Sequence, residues 1–244
     1  MKDNNRKLLG ILGGLGPMST AYFYEMITEH TEASCDQDHI DMVISSSATT
    51  PDRTGFILGN SVDNPAKRMI ADAKKLEAFG ADVITIPCNT AHYFYSEVQE
   101  NVSVPIIHII YETVKYCKSL GAEKIGIMAT DGTILSNTYQ RIAAEFDMEC
   151  VVPGQSNQQK VMDIIYKSVK QGKQVDMNKF HDVTRELTKA GSDRIILGCT
   201  ELSLIKRDHG LDNFYVDALE VLAWRSIQFC GKKPIGFEDF NDEI

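Results

Sequence analysis

Gly80-Ala81-Asp82-Val83-Ile84-Thr85-Ile86-Pro87-Cys88 and Gly191-Ser192-Asp193-Arg194-Ile195-Ile196-Leu197-Gly198-Cys199 are two copies of one segment. They align without a gap at an offset of 111 residues, and each cysteine falls eight positions after its glycine. Asn89-Thr90-Ala91 follows the first cysteine and Thr200-Glu201-Leu202 the second, while Leu76 and Leu187 extend the match backwards. A glycine closing a helix, a short apolar run and a polar turn together read as one strand of an α/β unit with its carboxyl-end loop. The chain carries that unit twice.

The duplication continues outward. Leu9-Gly10-Ile11-Leu12-Gly13-Gly14 matches Ile125-Gly126-Ile127-Met128-Ala129-Thr130 at an offset of 116, which also pairs Gly16 with Gly132 and Phe23 with Tyr139. Ile107-His108-Ile109 resembles Val216-Asp217-Ala218. Strands are expected at Leu8–Leu12, Met42–Ser46, Val83–Pro87, Val104–Ile110, Ile125–Thr130, Val151–Pro153, Ile195–Gly198 and Val216–Ala218. Helices are expected from about Ser19, over Pro65–Phe79 closed by Gly80, over Ile110–Leu120, over Val161–Gln171 closed by Gly172, and over Leu219–Phe229. Strands alternating with helices predict parallel sheets. The expected fold is α/β, with two similar lobes, each a parallel sheet flanked by helices, related by internal duplication. The repeats run over about 7–120 and 122–230. If the helix after each fourth strand crosses to the other half, the first lobe is 1–110 plus 219–244 and the second is 111–218.

Composition narrows the functional classes. Apolar residues at 43% and charged residues at 24% are ordinary for a water-soluble globular chain. No apolar run approaches the ~20 residues that span a bilayer. Met1 to Lys7 lacks the apolar core of a signal peptide, so a cytoplasmic location is expected. Six cysteines without a CxxC pair are too sparse for a disulfide scaffold and read as free thiols. A net charge of −9 argues against nucleic acid as partner, and an anionic small molecule would need a few specific basic residues.

In parallel sheets, ligands sit beyond the carboxyl ends of the strands, where Cys88 and Cys199 both fall. Helix N-termini favour thiolates, and a turn-helix is expected after each cysteine. Two thiols facing one cleft suit the transfer of a proton from one face of a carbon to the other. One must be a thiolate that removes the proton and the other a thiol that returns one. Cys35, Cys117, Cys150 and Cys230 have no such context and read as structural. Two cysteines are too few for a structural zinc site, and no metal is expected. Gly13-Gly14-Leu15-Gly16 fits neither nucleotide-loop pattern and reads as a tight turn beside a ligand. Asn89, Thr90, Thr130 and Thr200 can donate to a carboxylate or cap helices. Glu201 can accept from an ammonium or orient a thiol, or serve as a capping carboxylate. His92 and His108 lie near the cleft and read as packing or capping residues.

Four segments resemble the aspartate/glutamate racemase family, and within it the aspartate racemase branch. They are Gly13-Gly14-Leu15-Gly16-Pro17-Met18, Thr50-Pro51-Asp52-Arg53-Thr54, Pro87-Cys88-Asn89-Thr90-Ala91-His92 and Gly198-Cys199-Thr200-Glu201-Leu202. Glutamate racemases typically carry Asp-Ser-Gly and Cys-Thr-His where this chain has Gly-Gly-Leu-Gly and Cys-Thr-Glu. The resemblance implies an enzyme, an isomerase that interconverts L- and D-aspartate, with glutamate as a further substrate to test. It implies catalysis by Cys88 and Cys199 without pyridoxal phosphate or any other cofactor, and a homodimer. It places substrate binding on Arg53 and, by a looser alignment, on Lys170. One basic residue per lobe would suit a dicarboxylic amino acid. A related cysteine-dependent isomerase, such as a maleate isomerase or hydantoin racemase, and a non-catalytic acidic amino-acid binding protein are the alternatives.

Overall fold

The computed structural model describes residues 6–237. Residues 1–5 and 238–244, which the first expected lobe includes, lie outside them. Two separate four-stranded sheets form, both wholly parallel. Strands β1 (Leu8–Gly13), β2 (Asp41–Ser46), β3 (Val83–Thr85) and β4 (Ile106–Ile107) make the first sheet in the order β2-β1-β3-β4. Strands β5 (Lys124–Met128), β6 (Glu149–Val151), β7 (Arg194–Leu197) and β8 (Tyr215–Asp217) repeat that order as β6-β5-β7-β8. The duplicated two-lobe α/β fold expected from the sequence is the fold observed.

Atomic packing repeats along with the order. A Cβ on Gly10 would meet Ala81, Ile84 and Leu76, the nearest atom 3.0 Å away. A Cβ on Gly126 would meet Ser192, Ile195 and Leu187 at 2.9–3.3 Å, the equivalent three residues of the second copy. In each sheet, therefore, the first strand is bare where the helix preceding the cysteine strand presses on it.

The central core lies between the sheets. Leu9 and Ile11 of β1 and Ile125 and Ile127 of β5 share one apolar cluster with Ile109, Val114, Leu219 and Leu222. The helix Ile109–Ser119 packs on the helix Thr138–Glu145 and on β8. The helix Ala218–Phe229 packs on the helix Pro17–Glu29 and on β3 and β4. Because it is covered on several sides, it is apolar almost all round, with Ala218, Leu219, Val221, Leu222, Ala223 and Trp224 buried. Two outer clusters flank this core, one containing Cys88 with Met69 and Ile84, the other Cys199 with Phe180 and Ile195.

Several element ends differ from the sequence reading. Strand β4 covers only Ile106–Ile107, not Val104–Ile110, because His108 caps a helix that begins at Ile109. A short run of apolar residues does not separate strand from buried helix by periodicity. The first helix starts at Pro17, where a proline fits the first turn, rather than at Ser19. The stretch expected as one helix over 161–171 is a helix Gln155–Met162, a wide π-helical turn over Asp163–Ser168 and a tight 3-10 turn over Val169–Gln171. Among the described residues, no helix is long and apolar enough to cross a membrane.

Candidate active site

The carboxyl ends of the four central strands meet at one small enclosed pocket. Beyond β3 come Cys88, Asn89 and Thr90; beyond β5, Thr130; beyond β7, Cys199, Thr200 and Glu201. Arg53 enters from the loop after β2, and Lys170 from the irregular turn after the helix Gln155–Met162. The structure brings all nine of these residues, singled out from the sequence, to the wall of this pocket. Leu15, Asp52, Thr54 and Tyr166 complete it. Asp52 and Thr54 flank Arg53 in a segment already marked. Tyr166 lies in the π-helical turn and has no signal in the sequence, although such turns recur at functional sites.

The two thiols differ in their surroundings. Cys199 is the N-cap residue of the helix Thr200–His209, and its Sγ donates to Glu201 Oε2 at 2.8 Å. Burial, and then the Glu201 carboxylate, push the Cys199 thiol well above its ordinary pKa, although Lys170 opposes them. The expectation that a helix N-terminus lowers this pKa is thus corrected, because desolvation and a neighbouring carboxylate outweigh the dipole. Cys199 rests as a thiol. Cys88 precedes a 3-10 turn, Thr90–Phe94, and the residue equivalent to Glu201 in its copy is the uncharged Thr90.

Lys170 Nζ lies 3.7 Å from Glu201 Oε1 and 4.2 Å above the ring centre of Tyr166. Burial opposes its charge, but Glu201, the two cysteines and Tyr166 outweigh burial, and the Lys170 pKa is raised. Arg53 donates through Nη1 to the carbonyl of Pro51 at 3.1 Å and through Nη2 to that of Leu15 at 3.0 Å. Its Nε is buried without a partner among the described residues. The Nε–H group therefore remains to donate to a carboxylate. Asn89 accepts the Tyr139 hydroxyl at Oδ1, 2.7 Å away, and its buried Nδ2 also lacks a partner among those residues. Unpaired buried donors cost free energy, so two of them on one pocket wall mark it as a place for acceptor oxygens.

The threonines behave differently from the simplest expectation. Thr90 Oγ1 lies 2.9 Å from both Thr130 Oγ1 and Thr133 Oγ1, and the last two are 3.1 Å apart. The hydroxyls of Thr90 and Thr130 hold each other across the seam between the sheets, and Thr130 also caps the helix Asp131–Leu135. Thr133, unmarked by the sequence, closes this triangle. Gly132 lets the seam close: a Cβ there would come within 3.0 Å of Thr54 and 3.2 Å of Thr90.

His92 supports the first cysteine from behind. Its Nε2 accepts from Ile109 N at 3.2 Å, so the proton sits on Nδ1, which donates to the Cys88 carbonyl at 2.9 Å. Burial lowers its pKa to about 4, even though the backbone of Cys88 and Ile107 acts in the other direction. His108 caps the next helix through Tyr111 N at 3.2 Å. An unfolded histidine titrates near ~6.5. Between that value and about 4, the unfolded chain binds a proton that folded His92 refuses, so stability is lost as the pH falls through this window. In chemical denaturation, His92→Gln is expected to lose about 2 kcal/mol less stability than the parent between roughly pH 7 and 5. Equal losses in both proteins would show that His92 is protonated in the folded state.

The enclosed pocket has a free volume of about 10 Å³, close to the space of one water. Arg53, Lys170 and Glu201 also form the inner wall of an open cleft of about 640 Å³. A substrate would enter from that cleft, and the seam must part to admit it.

Sequence and fold are shared with known proteins. The pattern of the Asp/Glu/Hydantoin racemase family matches residues 12–225. The broad specificity amino-acid racemase RacX of Bacillus subtilis is 31% identical over 206 residues, covering 81% of this chain and 87% of that protein. The aspartate racemase of Picrophilus torridus superimposes with a TM-score of 0.82 at 27% identity, over 93% of this chain and 96% of that one. An aspartate racemase homologue of Pyrococcus horikoshii gives 0.75 at 26%, over 92% and 99%. Since the family pattern spans nearly the whole chain and takes in both cysteine loops, the protein belongs to the Asp/Glu/Hydantoin racemase family.

Proposed function

We propose that the protein racemises aspartate, with glutamate as a second substrate, by a two-cysteine proton transfer that needs no cofactor. The observation that carries this reading is the pair of unpartnered buried donors, Arg53 Nε and Asn89 Nδ2, on a pocket wall shared by two thiols. Arg53 grips one carboxylate through its free edge, as a bidentate fork. Lys170 supplies a point charge from the opposite side. Asn89 donates to the carboxylate beside the reacting carbon, where negative charge develops as the α-proton leaves.

In the resting state Cys199 holds a proton against Glu201, so Cys88 is the base for the first enantiomer and Cys199 the acid. After that turnover the proton has moved to Cys88, and the opposite enantiomer runs the roles in reverse. A thiolate at Cys199 is then adjacent to the Glu201 carboxylate, and the raised Lys170 ammonium offsets that repulsion. The working unit is a homodimer, as the resemblance implies. Each subunit has a first lobe of 1–110 plus 219–244 and a second of 111–218. This division is supported by the way the helices Ile109–Ser119 and Ala218–Phe229 pack across the halves.

The test is incubation of purified protein, without added cofactor, with each enantiomer of aspartate and glutamate in D2O. Chiral analysis is expected to show interconversion, with deuterium at Cα of the inverted product. Inversion with retention of the original Cα hydrogen, or isomerisation of maleate in place of any turnover of aspartate, would replace this reading.

A further inference from the structure

Tyr139 is a group that the proton transfer leaves unexplained. It is a fully buried aromatic residue of the helix Thr138–Glu145, 1% exposed. Its hydroxyl reaches out of the second lobe to Asn89, the residue after Cys88. Its ring lies against the other cysteine loop: a Cβ on Gly198, the residue before Cys199, would stand 3.2 Å from Tyr139 Cε2. One side chain thus touches both loops that carry the thiols.

The duplication supplies an internal control. The counterpart of Tyr139 in the first repeat is Phe23, also fully buried. Packing at this place in the fold therefore needs only the ring. The counterpart of Asn89 is Thr200, to which Phe23 can donate nothing. The hydroxyl is an addition made in one copy only, and among the described residues its hydrogen bond goes to a residue of the pocket wall. Burial keeps the phenol far above its ordinary pKa, so the O–H remains a donor at any working pH. With Oδ1 of Asn89 occupied from behind, the amide cannot rotate without orphaning the phenol, and its Nδ2 stays on the pocket side.

Building on the racemase reading, we infer that Tyr139 is a positioning residue of the reaction. Its hydroxyl fixes the Asn89 amide with the N–H2 group turned towards the substrate carboxylate, and its ring sets the spacing of the Cys199 loop.

The experiment is a double-mutant cycle on aspartate racemisation with Tyr139→Phe, Asn89→Ala and the two combined. Tyr139→Phe keeps the ring but orphans Asn89 Oδ1, so it is expected to melt a few degrees below the parent, while its kcat/KM falls roughly tenfold or more. Asn89→Ala is expected to fall at least as far. The double variant is expected to match Asn89→Ala, because the hydroxyl acts only through the amide. A hydroxyl with a purely structural role would lower the melting temperature and leave kcat/KM unchanged, or add its loss in full to that of Asn89→Ala. Either result overturns the inference, as does parent-like kcat/KM in Asn89→Ala. A parent protein that leaves both aspartate enantiomers unchanged would instead remove the racemase reading beneath it. The parent's own activity thus separates the two failures.

Discussion

Cys88→Ala and Cys199→Ala are each expected to lower racemisation of aspartate by ~10²–10⁴-fold, the usual contribution of a positioned acid or base. Either variant keeps one thiol, and the distinctive outcome lies in what that thiol still does. With Cys88 removed, Cys199 can exchange the α-proton of the enantiomer that faces it only after giving up the proton it holds against Glu201, so this exchange is expected to be the slower of the two, and nothing protonates the opposite face. In D2O that enantiomer is expected to gain deuterium with retained configuration. Cys199→Ala is expected to show the mirror behaviour with the other enantiomer. NMR of the Cα position, together with chiral chromatography, reads both quantities in one sample. Full racemisation by either alanine variant would remove the two-thiol mechanism. The environments of the two thiols add a further asymmetry. Cys199 carries its proton against Glu201 at 2.8 Å, whereas Cys88 faces no equivalent carboxylate in its own repeat. Racemisation has an equilibrium constant of one, so kcat/KM must agree in the two directions at every pH. A difference between the two directions can therefore appear only in the separate kcat and KM values.

Arg53 carries the second large effect. Two charge-assisted hydrogen bonds to a carboxylate contribute about 3–5 kcal/mol, so Arg53→Ala is expected to lose ~10²–10⁴-fold in kcat/KM for aspartate. Arg53→Lys keeps the charge without the fork and is expected to recover little of that loss. The guanidinium also ties the carbonyls of Leu15 and Pro51 together, so some of the damage is structural. The ratio of aspartate to alanine turnover separates the two contributions. A distorted loop lowers both substrates together, whereas loss of the side-chain carboxylate contact lowers aspartate alone. Parent turnover of alanine equal to that of aspartate would mean that Arg53 does not select a dicarboxylate. The activity would then be closer to the broad specificity named for RacX, which is 31% identical over 206 residues.

Much of this architecture could be read from the chain because duplication repeats its errors as well as its signals. A single Gly-to-Cys segment would be an ordinary strand, but two at one offset, each with its own leading glycine strand, mark both halves as copies of one parallel α/β unit. Gly10 and Gly126 show the cause, since each lies under the helix that leads into a cysteine strand. The short strands were harder to bound. In Ile106-Ile107-His108-Ile109-Ile110, hydrophobicity runs unbroken from strand into helix, and only the cap formed by His108 divides them.

From sequence alone came the residue types with chemistry to offer: two symmetric cysteines, Arg53, Lys170, and the polar residues beside them. These are local properties, set by side-chain chemistry and by position at strand ends. How they are paired is set by the folded chain. Glu201 holds the proton on Cys199, Thr90 bonds Thr130 across the seam, and Tyr139 meets Asn89 at a separation of 50 residues. Tyr166 and Thr133 join the site through contacts with no local pattern. Hydrogen bonds and desolvation depend on which atoms face each other after two lobes close. A one-dimensional pattern records which face of an element is buried, and leaves open what it is buried against.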